Sequence, residues 1–202
     1  INSPIVLIGE TPGKIEDSSG LAFQGDVGSL LKKMLFAINI KIEKVYLTYS
    51  INFRPPEDRK PTAQEIKRYS VFLKQHISII NQKIIILMGS TAMEALMGST
   101  SRISSERGKW KEIILKNKTF PFLTTFSPSY LIRFPENKKY SWEDLKKIKQ
   151  KIQDLDMNKN TSDNNDSLEG DNDITPFSCK YCDKSFLYVH EVKKPYDCPI
   201  LH

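Results

Sequence analysis

Residues 4–10 read PIVLIGE, an unbroken apolar run that closes on a glycine and a carboxylate. A strand needs such a run only when both of its faces are covered, because an alternating pattern suffices when one face meets water. Three further runs share this character: Val45–Ser50 (VYLTYS), Lys83–Gly89 (KIIILMG) and Phe120–Phe126 (FPFLTTF). Helical spacing fills the intervals. Asp26–Ile38 places Val27, Leu30, Leu31, Met34 and Leu35 on one face. Thr62–Ile80 opens with Thr62 and, three residues on, Glu65, the two halves of a capping box. Thr91–Met97 gives a short helix, and Ser141–Leu155 a longer one starting Ser-Trp-Glu-Asp. Strands alternating with helices predict an α/β fold in which a parallel sheet is covered on both sides. Ligands bind such sheets at the carboxyl ends of the strands. One crevice should therefore gather Gly9–Gly13, Tyr49–Pro56, Gly89–Thr91 and Ser127–Arg133.

The 202 residues carry a net charge of +6, unevenly spread. Residues 1–157 hold 25 Lys and Arg against 16 Asp and Glu, residues 158–175 one Lys against five acids, and residues 176–202 four Lys against three acids. The basic excess thus belongs to the first domain, and a polyanion, DNA or RNA, is the expected partner; a solvated lysine-rich surface is the plain alternative. No apolar run reaches the roughly 18 residues of a membrane span, and no signal peptide opens the chain. Ile1 lies close before the first strand-like run, which reads as a trimmed front. All three cysteines fall in the last 24 residues, so none staples the large domain and a cytoplasmic location is expected. The composition calls for no obligate protein partner. Residues 158–175, rich in Asn, Asp and Ser, lack the apolar surface to offset ordering entropy and read as a disordered acidic linker.

Short motifs punctuate the crevice segments in a definite order. Gly9-Glu10-Thr11-Pro12-Gly13 follows the first strand, then Glu16-Asp17, then Gly20-Leu21-Ala22-Phe23-Gln24-Gly25. Arg54-Pro55-Pro56 follows the second strand, Gly89 ends the third, Arg107-Gly108 stands before Trp110, and Ser127-Pro128-Ser129-Tyr130-Leu131-Ile132-Arg133 follows the fourth. This ordered set resembles the iron–sulfur uracil-DNA glycosylases of bacteria and archaea over residues 4–152. The resemblance implies a three-layer α/β/α domain (residues 1–157) on a four-stranded, mainly parallel sheet. It also implies base-excision chemistry on uracil-containing DNA, with hydrolysis of the N-glycosidic bond of a flipped-out base.

By that resemblance Glu10 is the carboxylate that stabilises the cationic sugar or orients water. Phe23 is the ring on which the base stacks, a contact worth roughly 1–3 kcal/mol. Gly9 and Gly89 bring backbone N–H groups to base or phosphate, and Arg54, Pro55, Ser129 and Arg133 lie along the DNA. Several positions depart from the pattern. Tyr49 stands where the family has the Asn that reads the uracil edge, offering one hydroxyl and more bulk; buried packing is the other reading. Ser127 stands where the family has a His that supports the departing base. It can donate one hydrogen bond but carries no positive charge, and it reads equally as a turn or cap residue before Pro128. Loss of one preorganised donor costs on the order of 100- to 1000-fold in rate. Phe53 and Tyr69 fall at two of the four cysteine positions that hold the cluster, and aromatic rings do not ligate iron as thiolates do. No iron–sulfur cluster is expected. The competing reading is a catalytically impaired homologue that binds DNA; a decaying gene product is the third.

The end of the chain shows a separate pattern. Cys179 and Cys182, with Cys198 and His202, approach the spacing of a two-knuckle structural zinc site, His190 competing with His202 for the last place. A piece as short as residues 176–202 scarcely folds without such a staple.

Overall fold

The computed structural model describes residues 3–98 and 100–160, with two short strand pieces at 177–178 and 185–186. The sheet of the large domain is built from β1 (Ile5–Gly9), β2 (Val45–Tyr49), β3 (Ile84–Met88), β4 (Trp110–Leu115) and β5 (Lys118–Thr125) in the order β2-β1-β3-β5-β4. β1 pairs in parallel with β2 and β3, and β3 with β5; only β4 runs antiparallel, against β5. The α/β class and the parallel core are as expected from sequence. The sheet has five strands where four were expected, and the additional one is β4. Its side chains alternate in exposure on the sheet edge, so it lacks the continuous apolar run that marks a strand buried on both faces.

The remaining elements are α1 (Lys14–Ser19), α2 (Gly25–Ala37), α3 (Ala63–Ile79), α4 (Ser90–Met97), α5 (Ile103–Glu106), α6 (Pro128–Arg133) and α7 (Lys138–Asn160). Thr62 caps α3 as its sequence foretold: its hydroxyl accepts from Glu65 N–H while the Glu65 carboxylate accepts from Thr62 N–H. Arg59 forks onto the same carboxylate, and these donors pull the Glu65 pKa down to about 2.

β1 shows how the layers form. Ile5 and Leu7 face one core with Leu31 and Leu35 of α2 and Leu145 and Ile148 of α7. Val6 and Ile8 face the other with Ile66, Leu73 and Ile77 of α3 and Ala92 and Leu96 of α4. Both faces are dry, which is why the run is continuous. The direction of strand order reverses at β1, with β2 on one side and β3 on the other, so the crevice at its carboxyl end lies at the topological switch point.

Among the described residues no helix is long and apolar enough to cross a membrane. The short strands β6 (Phe177–Ser178) and β7 (Ser185–Phe186) pair antiparallel. The expected linker at 158–175 lies mostly, and the expected zinc ligands Cys179, Cys182, Cys198 and His202 entirely, outside the described residues.

Candidate active site

β1 ends in Gly9, and the chain turns at once into Glu10. Ser50 and Ile51 donate their N–H groups to the carbonyls of Gly9 and Glu10, which ties this turn to the end of β2. The Glu10 carboxylate reaches across to the start of α4. There it accepts from Thr91 N–H at 3.1 Å and from the Ser90 hydroxyl at 3.3 Å. A helix N-terminus favours a negative charge. Gly89 makes this reach geometrically open: its φ is +105°, and a Cβ there would lie 2.3 Å from the Glu10 carboxyl carbon. Only glycine meets both conditions.

The loop before α2 is held by a second carboxylate. Glu16 is buried and accepts from Gly13 N–H at 3.0 Å and from Gln24 N–H at 2.9 Å. It thus fastens the Gly9–Gly13 turn to the Phe23 loop. The sequence marks Glu16 only as part of a motif; its role as the clasp needs the three-dimensional approach of the two loops.

Phe23 has φ +52°, a left-handed conformation that costs a residue with a Cβ. Its N–H donates to the Tyr49 hydroxyl at 2.9 Å. The two rings stack with centroids 4.9 Å apart and planes inclined by 23°. Both residues are only 4% exposed. A Cβ on Gly9 would lie 2.7 Å from the Phe23 ring and 2.9 Å from the Tyr49 ring, and one on Gly28 would lie 1.9 Å from the Phe23 carbonyl oxygen. Gly28 was not singled out from sequence, although a glycine inside a helical pattern is the signal for such close approach. Burial holds the Tyr49 phenol well above its ordinary pKa; the Phe23 N–H opposes this and the Glu16 charge adds to it.

Ser127 is the N-cap of α6, its hydroxyl accepting from Tyr130 N–H at 3.3 Å and lying 3.1 Å from the Ser129 hydroxyl. Beyond it Phe126, Tyr130 and Phe134 form a ladder of rings with successive centroids 4.9 Å apart. Arg133 is exposed, and its Nε lies 3.4 Å from the Ser129 carbonyl. Pro55 is buried, whereas Arg54 forks onto Asp58 at 2.6 and 2.7 Å. Arg107 anchors the other flank: it forks onto the buried Asp144 of α7, which also accepts from the Thr125 hydroxyl.

Gly9, Phe23 and Tyr49 therefore form one cluster, and Glu10 and Gly89 adjoin it at the next strand. Ser127, Ser129 and Arg133 follow the end of β5, while Arg54 and Pro55 sit on the loop after β2. Phe53 and Tyr69 pack 5.3 Å apart against the α3 side of the sheet. Neither offers a thiolate, so these two positions do not fit an iron–sulfur cluster. Among the described residues no three His, Cys, Asp or Glu side chains converge to hold a metal.

This crevice and sheet have counterparts in known proteins. The family model of the Uracil DNA glycosylase superfamily matches residues 1–149, and the chain belongs to that superfamily. It is similar to the Type-4 uracil-DNA glycosylase of Thermotoga maritima, 36% identical over 152 residues that cover 74% of this chain and 78% of that protein. The Type-4 uracil-DNA glycosylase of Sulfurisphaera tokodaii is 34% identical, covering 72% of this chain and 69% of that protein. That of Archaeoglobus fulgidus is 30% identical, covering 71% and 74%.

Proposed function

We propose that the chain hydrolyses the N-glycosidic bond of uracil flipped out of DNA, as a base-excision hydrolase that works without an iron–sulfur cluster. The observation that carries this is the Glu10 carboxylate, fixed at the switch point of the sheet by the first N–H groups of α4. When the C–N bond breaks, the electron pair leaves with the base and the sugar becomes an oxocarbenium-like cation. A fixed carboxylate beside it stabilises that charge and orients the water that adds to the sugar, accepting its proton. Phe23 is the stacking partner for the base, with Gly9, Tyr49 and Gly89 lining the same cluster. Ser127 would donate its hydroxyl hydrogen to the departing base in place of the Ser129 hydroxyl, while its oxygen goes on accepting from Tyr130 N–H at the α6 cap. The basic excess of the domain supports DNA as the partner, through Ser129 and Arg133, with the buried Pro55 shaping the loop after β2. Arg54 joins them only by exchanging Asp58 for a phosphate.

A second reading, DNA binding without excision, is favoured by two observations: the Tyr49 ring lies against Phe23, and Ser127 caps a helix. Single-turnover release of uracil from a labelled single-stranded oligonucleotide decides between them. The expected result is slow release by the wild type, reduced about 100- to 10,000-fold by Glu10→Gln, with salt-sensitive DNA binding unchanged. No release by the wild type, with that binding retained, would establish the second reading.

A further inference from the structure

We propose that Tyr49 is an internal occupant of the base pocket, so that a uracil enters only by displacing the tyrosine ring. This rests on the reading of Phe23 as the stacking partner of the base. What Phe23 offers a pyrimidine is a ring face and, in the same residue, a backbone N–H. Tyr49 uses both. Its six-membered ring stacks on Phe23 with centroids 4.9 Å apart, and its oxygen accepts the Phe23 N–H at 2.9 Å. A planar ring bearing an oxygen acceptor is also the description of a uracil edge and face, and the two cannot hold one place together.

Three further observations show that the occupancy is built in. Phe23 keeps only 4% of its surface, so no second face remains for a base. Gly9 provides the floor, and the ring pair lies so close to its Cα that a methyl group would collide with both rings. The Phe23 backbone is held at φ +52° with its N–H turned to the phenol, so the loop itself is shaped to the tyrosine. A side chain in the closed state must be displaced before a base binds, and the measured affinity falls by the fraction of protein that is open.

The test is binding of free uracil, followed by titration calorimetry, together with single-turnover release, for the wild type, Tyr49→Asn and Tyr49→Phe. Tyr49→Asn removes the ring and is expected to bind uracil about 10-fold or more tightly than the wild type, with faster release. Tyr49→Phe keeps the ring but removes the hydrogen bond that holds it closed, so it too is expected to bind uracil more tightly than the wild type. Equal uracil affinity in the wild type and Tyr49→Asn overturns the proposal. So does a uracil affinity of Tyr49→Phe no higher than that of the wild type, a result that holds even if Tyr49→Asn fails to fold. Tighter binding by Tyr49→Asn with no release from any of the three proteins upholds the occupied pocket and overturns the hydrolase reading instead.

Discussion

Tyr49 ends β2 and Phe53 lies four residues on, in the loop that follows, yet they serve opposite layers of the sheet. Tyr49 pairs with Phe23 in the core beneath α2, and Phe53 pairs with Tyr69 against α3. By the resemblance read from sequence, both stand where the family has groups with specific chemistry, an amide in one case and a cluster thiolate in the other. The outcomes differ. Phe53 and Tyr69 meet as half-buried rings tilted by 41°, and Tyr69 also meets Phe72 edge-on. Phe23 and Tyr49 meet flat, fully buried, over a glycine and through a directed hydrogen bond. An aromatic in place of a ligand can thus be simple filling, or it can be a shaped part that fixes the backbone around it. Burial and the polar tip decide which.

Substitutions that break the two pairs should separate them. Tyr49→Ala is expected to destabilise by about 3–5 kcal/mol, the cost of a buried aromatic lost with its cavity. Phe53→Ala should cost about half as much because its site already meets water; equal losses in urea unfolding would erase the contrast. Gly9→Ala forces a methyl group between the stacked rings and should cost roughly 1–3 kcal/mol, detectable as a lower urea midpoint. Tyr49→Phe leaves the buried Phe23 N–H without its acceptor, for about 1–3 kcal/mol, whereas Phe53→Leu should stay below about 1.5 kcal/mol.

The smallest effect is pH-dependent and belongs to the Phe53 side alone. His76 of α3 lies 2.6 Å from the Tyr46 hydroxyl, and burial lowers its pKa. A group with a lowered folded pKa contributes stability above its unfolded value, about 6.5, and that stability is lost as the pH falls through the folded value. The slope from this one proton is at most about 1.4 kcal/mol per pH unit. Urea midpoints at pH 7.5 and 5.5 should differ in the wild type and differ less in His76→Gln.

The elements most legible in the sequence were those whose environment is uniform along their length. β1, β2, β3 and β5 are covered on both faces, and their runs located them to within one or two residues. β4 escaped because Lys111 and Glu112 on an edge break the run. The capping box at Thr62 was legible because it is a local exchange of hydrogen bonds, and Ser127 before Pro128 carried the cap reading for the same reason. The stack of Phe23 on Tyr49 was not legible, since it depends on how a loop after α1 meets the end of a strand 26 residues later. Arg54 looked free for phosphate because its partner Asp58 lies on a loop whose left-handed turn at Glu57 and Asp58 has no helical or strand period.

The central position of β1 has a consequence for biosynthesis. Ile5 pairs with Val45 on one side and with Ile84 on the other. β1 is therefore flanked on both sides only after β3 has been made, with β2 and α3 between them in sequence. Until then at least one hydrogen-bonding edge of IVLIG stays open in the nascent chain. Non-local parallel pairing of this kind is slow and leaves an aggregation-prone segment exposed. A chaperone that engages emerging apolar segments would meet this chain at β1.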